Sequence, residues 1–128
     1  MLSFYNEHIN ECILNPAPSF SEKLLCTIDA KAKTDVEVYK AANIDRRLFS
    51  KIRSNRYYRP SRNTAILLCL GLKLSLPETQ ELLLSAGFAL SQSLKSDLII
   101  MSFIKRGRLN VFDINQALFD FDQPLLFG

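Results

Sequence analysis

Four cationic side chains fall within eight consecutive residues of this chain: Arg46, Arg47, Lys51 and Arg53. Ammonium and guanidinium groups bind phosphate oxygens, and the planar fork of arginine can donate two hydrogen bonds to guanine O6 and N7. Between the cations lie three apolar residues at helical spacing: Leu48, Phe49 and Ile52. The pattern predicts an amphipathic helix, capped by Asp45, with its cations on the outer face.

A shorter helix is predicted immediately before the basic one. Thr34, followed three residues later by Glu37, has the pattern of a capping box. Asn43 then falls at a turn position that needs a positive φ, which asparagine tolerates better than most residues. Two short helices joined by a tight turn, the second one basic, have the outline of a helix-turn-helix, whose second helix enters the DNA major groove.

The positive charge of the chain is concentrated around this outline. Between Lys31 and Arg62 there are ten lysines and arginines and three acidic residues, an excess of seven positive charges. The whole chain carries a net charge of +3, so the remainder is negative by four. Such segregation creates a local positive field that attracts phosphates in a salt-dependent way.

The remaining elements are predicted to complete an all-α domain. Residues 1–18 form an N-terminal arm, set off by Pro16 and Pro18, with enough apolar residues for one or two amphipathic turns. Helical periodicity and capping residues then predict seven helices, with no convincing strand pattern. Of the other five, one begins at Ser19 or Ser21, one runs from Ser61 to about Leu72 as the central core helix, and one follows Pro77 up to Gly87. The last two cover about 91–106, with Leu94, Leu98, Met101 and Ile104 on one face, and about 111–121, with Val111, Ile114, Leu118 and Phe121 on one stripe.

The block from Ser19 to about Phe88 resembles the lambda-repressor-like, or XRE-type, helix-turn-helix family of bacteria and phages. Four segments carry the resemblance: Val38–Ile44, Asp45–Arg53, Arg59-Pro-Ser61 and Leu76–Phe88. The resemblance implies a compact five-helix bundle over 19–88. Residues 89–128 would then be a C-terminal helical extension of two helices that packs on the bundle or mediates assembly.

The resemblance also implies a role for individual residues. Arg46 and Arg47 would contact base edges, and Ser50 and Lys51 lie one turn further along the same helix. Phosphate contacts would come from Arg53, Arg56, Arg59 and the backbone near Thr34. The chain departs from the family at Asn43, where glycine is usual, and at Asp35 and Glu37, whose carboxylates would repel a DNA backbone.

Two questions stay open at the level of sequence. The apolar C-terminal residues either pack on the chain's own helices or form a homodimer or protein interface through residues 91–128. Separately, one of Tyr57 and Tyr58 is expected to close the core between the third and fourth helices. The function is expected to be sequence-specific binding of double-stranded DNA by a transcriptional regulator. The alternative is an adaptor or antitoxin-like subunit of a multi-component system, such as phage defence, that binds a protein or a structured nucleic acid.

Catalytic, metal and membrane functions find no support in the residue pattern. The single histidine, His8, lies in the arm, where Glu7 and Glu11 are the only carboxylates at triad or ligand spacing. The four glycines are isolated, so the sequence predicts no phosphate-binding loop. Three cysteines at wide spacing match neither a disulfide framework nor a zinc site. No apolar run approaches the ~20 residues of a membrane helix, and the N-terminus lacks a signal-peptide pattern. We therefore expect a cytoplasmic protein that is not an enzyme and has no cofactor.

Overall fold

The computed structural model describes the backbone of residues 2–14 and 16–128, and the side chains of residues 6–11, 13, 14 and 16–128. Within these ranges the chain forms eight α-helices and no strand, which confirms the all-α class. The helices are α1 Leu2–Leu14, α2 Phe20–Ala30, α3 Asp35–Ala41, α4 Arg46–Ser54, α5 Arg62–Gly71, α6 Leu76–Ser85, α7 Lys95–Lys105 and α8 Val111–Asp120. Helices α2 to α8 are the seven helices predicted from the sequence.

Side-chain caps fix where the bundle helices begin. Ser19, Thr34 and Ser75 each form a complete capping box at the start of α2, α3 and α6. Asp45 and Ser61 cap α4 and α5 by accepting a hydrogen bond from a backbone amide in the first turn. Each cap satisfies amides that have no partner inside the helix, so the sequence pattern located these starts within a residue or two.

The turn between α3 and α4 closes as predicted at Asn43, which has a φ of 55°. The amide of Ile44 donates to the Tyr39 carbonyl at 2.9 Å, a bond that requires the left-handed conformation at Asn43. Ile44 is then carried into the core, with 7% of its surface exposed. This closure fixes the direction in which α4 leaves the turn.

Helix α5 is the centre of the core, as predicted. Its residues 65–71 are all buried, and it contacts α3, α6 and α8. Gly71 marks its closest approach to α3, because a Cβ added there would lie 2.7 Å from the Val38 carbonyl oxygen and 2.9 Å from Ala42 Cβ. Only glycine lets the two backbones meet at this distance.

A buried ion pair joins α5 to α7. Asp97 is fully buried, and its Oδ2 accepts hydrogen bonds from Arg62 Nη2 at 2.6 Å and from the Ser91 amide at 2.8 Å. Arg62 also donates to the Ala89 carbonyl at 3.1 Å. A carboxylate can be removed from water only when it is paired in this way, so Arg62 is a structural residue of the bundle.

Three predictions about the ends of the chain differ from the structure. Residues 2–14 form a 13-residue helix, longer than the one or two turns expected of the arm. The sixth predicted helix begins at Lys95 and not near 91, because Ser91 bonds to Asp97 and Leu94 becomes the N-cap. Phe121, predicted to lie on the buried stripe of the last helix, is the C-cap residue and is 62% exposed.

Candidate nucleic-acid interface

Helix α4 is held on the bundle by its apolar side. Phe49 and Ile52 are buried, and the Phe49 ring lies 5.7 Å from the ring of Tyr39 on α3. The opposite side carries exposed polar residues, all predicted from the sequence as DNA-binding candidates: Arg46, Arg47, Ser50 and Lys51. The sequence period therefore located this outer face correctly, because the buried and exposed residues of a nine-residue helix separate cleanly.

Four of the predicted contact residues have a cationic side chain without an ion-pair partner among the described residues: Arg46, Arg47, Lys51 and Arg59. All four are exposed. Arg46 and Arg47 occupy the first turn of α4, a position where no acidic side chain follows the Asp45 cap. Cations near a helix N-terminus are opposed by the helix dipole, so their placement there does not stabilise the helix.

Arg53 is paired within the helix-turn-helix itself. Its Nη1 lies 2.9 Å from Oδ2 of Asp35, the first residue of α3. The carboxylate that departs from the family pattern is therefore neutralised by an arginine of the neighbouring helix. This pairing weakens the repulsion expected between Asp35 and a phosphate backbone. It also means that Arg53 must leave Asp35 before it can bind a phosphate.

Arg56 and the two tyrosines lie just beyond α4. Arg56 Nε is 3.3 Å from Glu22 Oε1, and its guanidinium lies 5.4 Å from the centre of the Tyr57 ring. Tyr57 is 74% exposed, whereas Tyr58 is half-buried and packs against the core. Tyr58 is thus the tyrosine that closes the core, and Tyr57 extends the exposed surface next to Arg56 and Arg59.

Thr34 is occupied by its own capping box. Its Oγ1 accepts from the Glu37 amide at 3.1 Å, and its backbone amide donates to Glu37 Oε1 at 3.1 Å. These hydrogen bonds, the backbone one foremost, lower the pKa of Glu37 below its usual range. Since α3 has only seven residues and its cap is closed, the geometry adds no support for a phosphate at Thr34.

The positive window of the sequence is partly neutralised in three dimensions. Besides the Arg53 and Arg56 pairs, Lys31 lies 3.0 Å from Glu78, and Arg62 holds Asp97. Of these acidic partners, Glu22, Glu78 and Asp97 lie outside the window. Residues that far apart in sequence cannot be paired by inspection, so the local excess of charge was overestimated. The unpaired cations that remain are concentrated on α4 and the loop that follows it.

Three further observations on the described part of the chain concern metal binding, thiol reactivity and membrane spans. No group of three or more His, Cys, Asp or Glu side chains is arranged to hold a metal ion there. Burial raises the pKa of the Cys69 thiol to about 12, so this thiol stays protonated and is not a nucleophile. None of the described helices has the length and apolar character needed to cross a membrane.

Two residues that matter for the site were not identified from sequence. Gly71 determines how closely α3 approaches the core, and Asp97 fixes the extension. An isolated glycine and a lone aspartate in a helical pattern have no sequence signature of these roles.

Comparisons with protein-family models, curated proteins and solved structures found no match to this chain.

Proposed function

We propose that this chain is a sequence-specific DNA-binding protein of the XRE helix-turn-helix type that regulates transcription, with α4 as its recognition helix. The observation that supports the proposal is the first turn of α4. Two exposed arginines without ion-pair partners, Arg46 and Arg47, lie there on a helix whose other side is locked into the core. Arginine at the entering end of a helix is the commonest donor to guanine in the major groove.

The other cations have a distinct task in this proposal. Arg59 and Lys51 contact phosphates on either side of the groove, and Arg53 and Arg56 join them by exchanging Asp35 and Glu22 for phosphate oxygens. Phosphate contacts set the register of the protein on the duplex, and base contacts supply the sequence preference. Such exchange makes binding strongly dependent on salt, because each phosphate neutralised releases a counterion.

The test is selection from random duplex pools at several salt concentrations, followed by binding measurements on the enriched site. We expect Arg46→Ala and Arg47→Ala each to cost about 1–3 kcal/mol and to relax the preference at one base pair. Lys105→Ala is the matched control, since Lys105 is an exposed lysine in the last turn of α7. If all three variants bind the duplex alike, α4 is not a recognition helix and the proposal is wrong.

One observation favours the alternative function, an adaptor or antitoxin-like subunit that holds a protein or a structured nucleic acid. Arg53 and Arg56 are already paired with carboxylates, which reduces the positive field available to a duplex. On this alternative the selection enriches no site, and binding to duplex is weak at every salt concentration tested. The same experiment therefore separates the two functions.

A further inference from the structure

The outer face of α8 carries aromatic side chains that the bundle does not cover. Phe112 and Phe119, seven residues apart on the same side of the helix, are 57% and 65% exposed. The amide side chains of Asn115 and Gln116 lie between them, and the C-terminal segment runs alongside with Leu125 and Phe127 half-buried. Together these six residues form a shallow groove, which we call the α8 face.

The α8 face is built by specific contacts and is not a loose tail. Asn115 binds the C-terminal segment at two points, since its Nδ2 donates to the Phe127 carbonyl at 3.0 Å and its Oδ1 accepts from the Leu126 amide at 2.8 Å. Leu126 is buried, and the Phe127 ring meets Phe112 edge to face at 5.4 Å. The apolar C-terminus thus packs on its own chain while leaving Phe112 and Phe119 outside.

The exposed area is large for a protein of this size. A phenylalanine buries about 150–250 Å² when it is fully covered, so Phe112 and Phe119 alone offer on the order of 200–300 Å² of apolar surface. A specific interface buries at least about 500 Å² per partner, so the dimer must also cover Leu125, Phe127 and the flanks of α8. Contiguous apolar patches of this extent usually mark an interaction site.

We propose that the α8 face binds the α8 face of a second copy of this chain, with the two helices antiparallel. The order of side chains along the face is nearly the same in both directions: a phenylalanine, two amides and a phenylalanine. A two-fold axis between residues 115 and 116 therefore places Phe112 of each copy against the second copy's Phe119. In a symmetric dimer the same patch faces itself, so this order of side chains sets phenylalanine against phenylalanine and amide against amide across the axis.

The dimer leaves the α4 surface accessible. Helix α8 contacts α5 and α7, whereas α4 contacts α2 and α3, so the two helices pack on different elements of the bundle. No lysine or arginine lies among the six residues of the α8 face, so it is chemically separate from the α4 surface. The inference does not depend on DNA binding and holds for either proposed function.

Sedimentation equilibrium of the full chain over a range of concentrations tests the proposal. We expect a species of twice the 14.6 kDa chain mass at micromolar concentrations. Phe119→Glu places a charge in the interface and should weaken dimerisation at least 100-fold. Phe121→Glu is the matched control, because Phe121 is equally exposed but lies outside the groove. A monomer at every concentration, or equal effects of the two variants, overturns the proposal.

A cross-link tests the antiparallel register. Gln116→Cys, made together with Cys12→Ser and Cys26→Ser, places one thiol per chain beside the two-fold axis, and oxidation should then give a covalent dimer. Asp113→Cys in the same background is the control, since Asp113 lies on the flank of α8 and away from the axis. A dimer that forms by sedimentation but is cross-linked equally or better through residue 113 shows that the copies meet in another way, and the proposal is wrong.

Discussion

The helix pair α3–α4 packs on α5 through α3, and the pair α7–α8 packs on it through α8, but the two pairs are held by different means. Helix α3 approaches α5 at Gly71, where the two backbones meet and a Cβ would lie 2.7 Å from the Val38 carbonyl oxygen. Helix α7 is tied to the start of α5 by the buried pair of Arg62 and Asp97. One region therefore depends on close packing and the other on a paired charge, so different substitutions should loosen each of them.

The two exposed surfaces differ in a parallel way. The α4 surface carries cations that are well hydrated and cost nothing to leave exposed, whereas the α8 face carries phenylalanines that water solvates poorly. A charged surface binds a polyanion at a rate that salt controls, and an apolar surface binds by area. High salt should therefore weaken binding at the α4 surface and leave dimerisation through the α8 face nearly unchanged.

The largest expected effect comes from breaking the buried pair. Arg62→Met leaves the carboxylate of Asp97 buried without its cation, which we expect to lower the free energy of unfolding by about 3–5 kcal/mol. The double variant with Asp97→Leu removes both charges and should recover most of this loss. Chemical denaturation measures both, and hydrogen exchange should show α7 and α8 opening before α3 and α4. A loss below about 1 kcal/mol for Arg62→Met would contradict this account of the extension.

Gly71→Ala acts on the other region. The added methyl group would lie 2.7 Å from the Val38 carbonyl oxygen, so α3 must move away from α5. Overpacking of this kind costs about 1–3 kcal/mol. Hydrogen exchange should show α3 and α4 losing protection before α7, the reverse of the Arg62→Met result. Gly87→Ala is the control, because a Cβ there meets no atom within 4 Å and only the positive φ of 81° is strained.

A smaller effect on binding is expected from Asp35→Asn. This change removes the carboxylate that holds Arg53 at 2.9 Å, which frees an arginine beside the α4 surface. An exposed pair of this kind is worth about 0.2–1 kcal/mol, so duplex affinity should rise a few-fold and the salt dependence should steepen by about one phosphate contact. Asp113→Asn makes the same charge change on α8 and should leave duplex affinity unaltered. Equal increases in the two variants would show only a change in net charge.

The sequence predicted most of the fold because capping and periodicity are local. Ser19, Thr34, Asp45 and Ser61 all cap where their patterns indicated, whereas the cap at Ser75 was not predicted. Burial along α7 was predicted less well, since Leu94 and Leu98 are about half exposed while Asp97 is buried. An aspartate on the inner face becomes intelligible only when its partner Arg62, 35 residues away, is known. The candidate site follows the same rule: the outer face of α4 was predicted, and the pairing of Arg53 with Asp35 was not.

The last and smallest expected effect is a difference in acid sensitivity between the first turns of α3 and α6 and the first turn of α8. At the start of α6, the Ser75 amide and Lys31 hold the pKa of Glu78 at about 2. At the start of α3, the Thr34 capping box lowers the pKa of Glu37. Helix α8 is instead capped by the amide side chain of Asn110, which does not titrate. A carboxyl whose pKa is depressed on folding stabilises the folded state fully above its ordinary pKa, near 4.5, and loses this contribution as the pH falls towards the folded value. As the pH falls below 4.5, the first turns of α3 and α6 should therefore fray in amide NMR spectra while that of α8 does not, and for α6 the change should extend to about pH 2. Glu78→Gln keeps the capping geometry without the titration, so α6 should then no longer respond to acid in this range; if it still does, the carboxylate of Glu78 is not the group responsible.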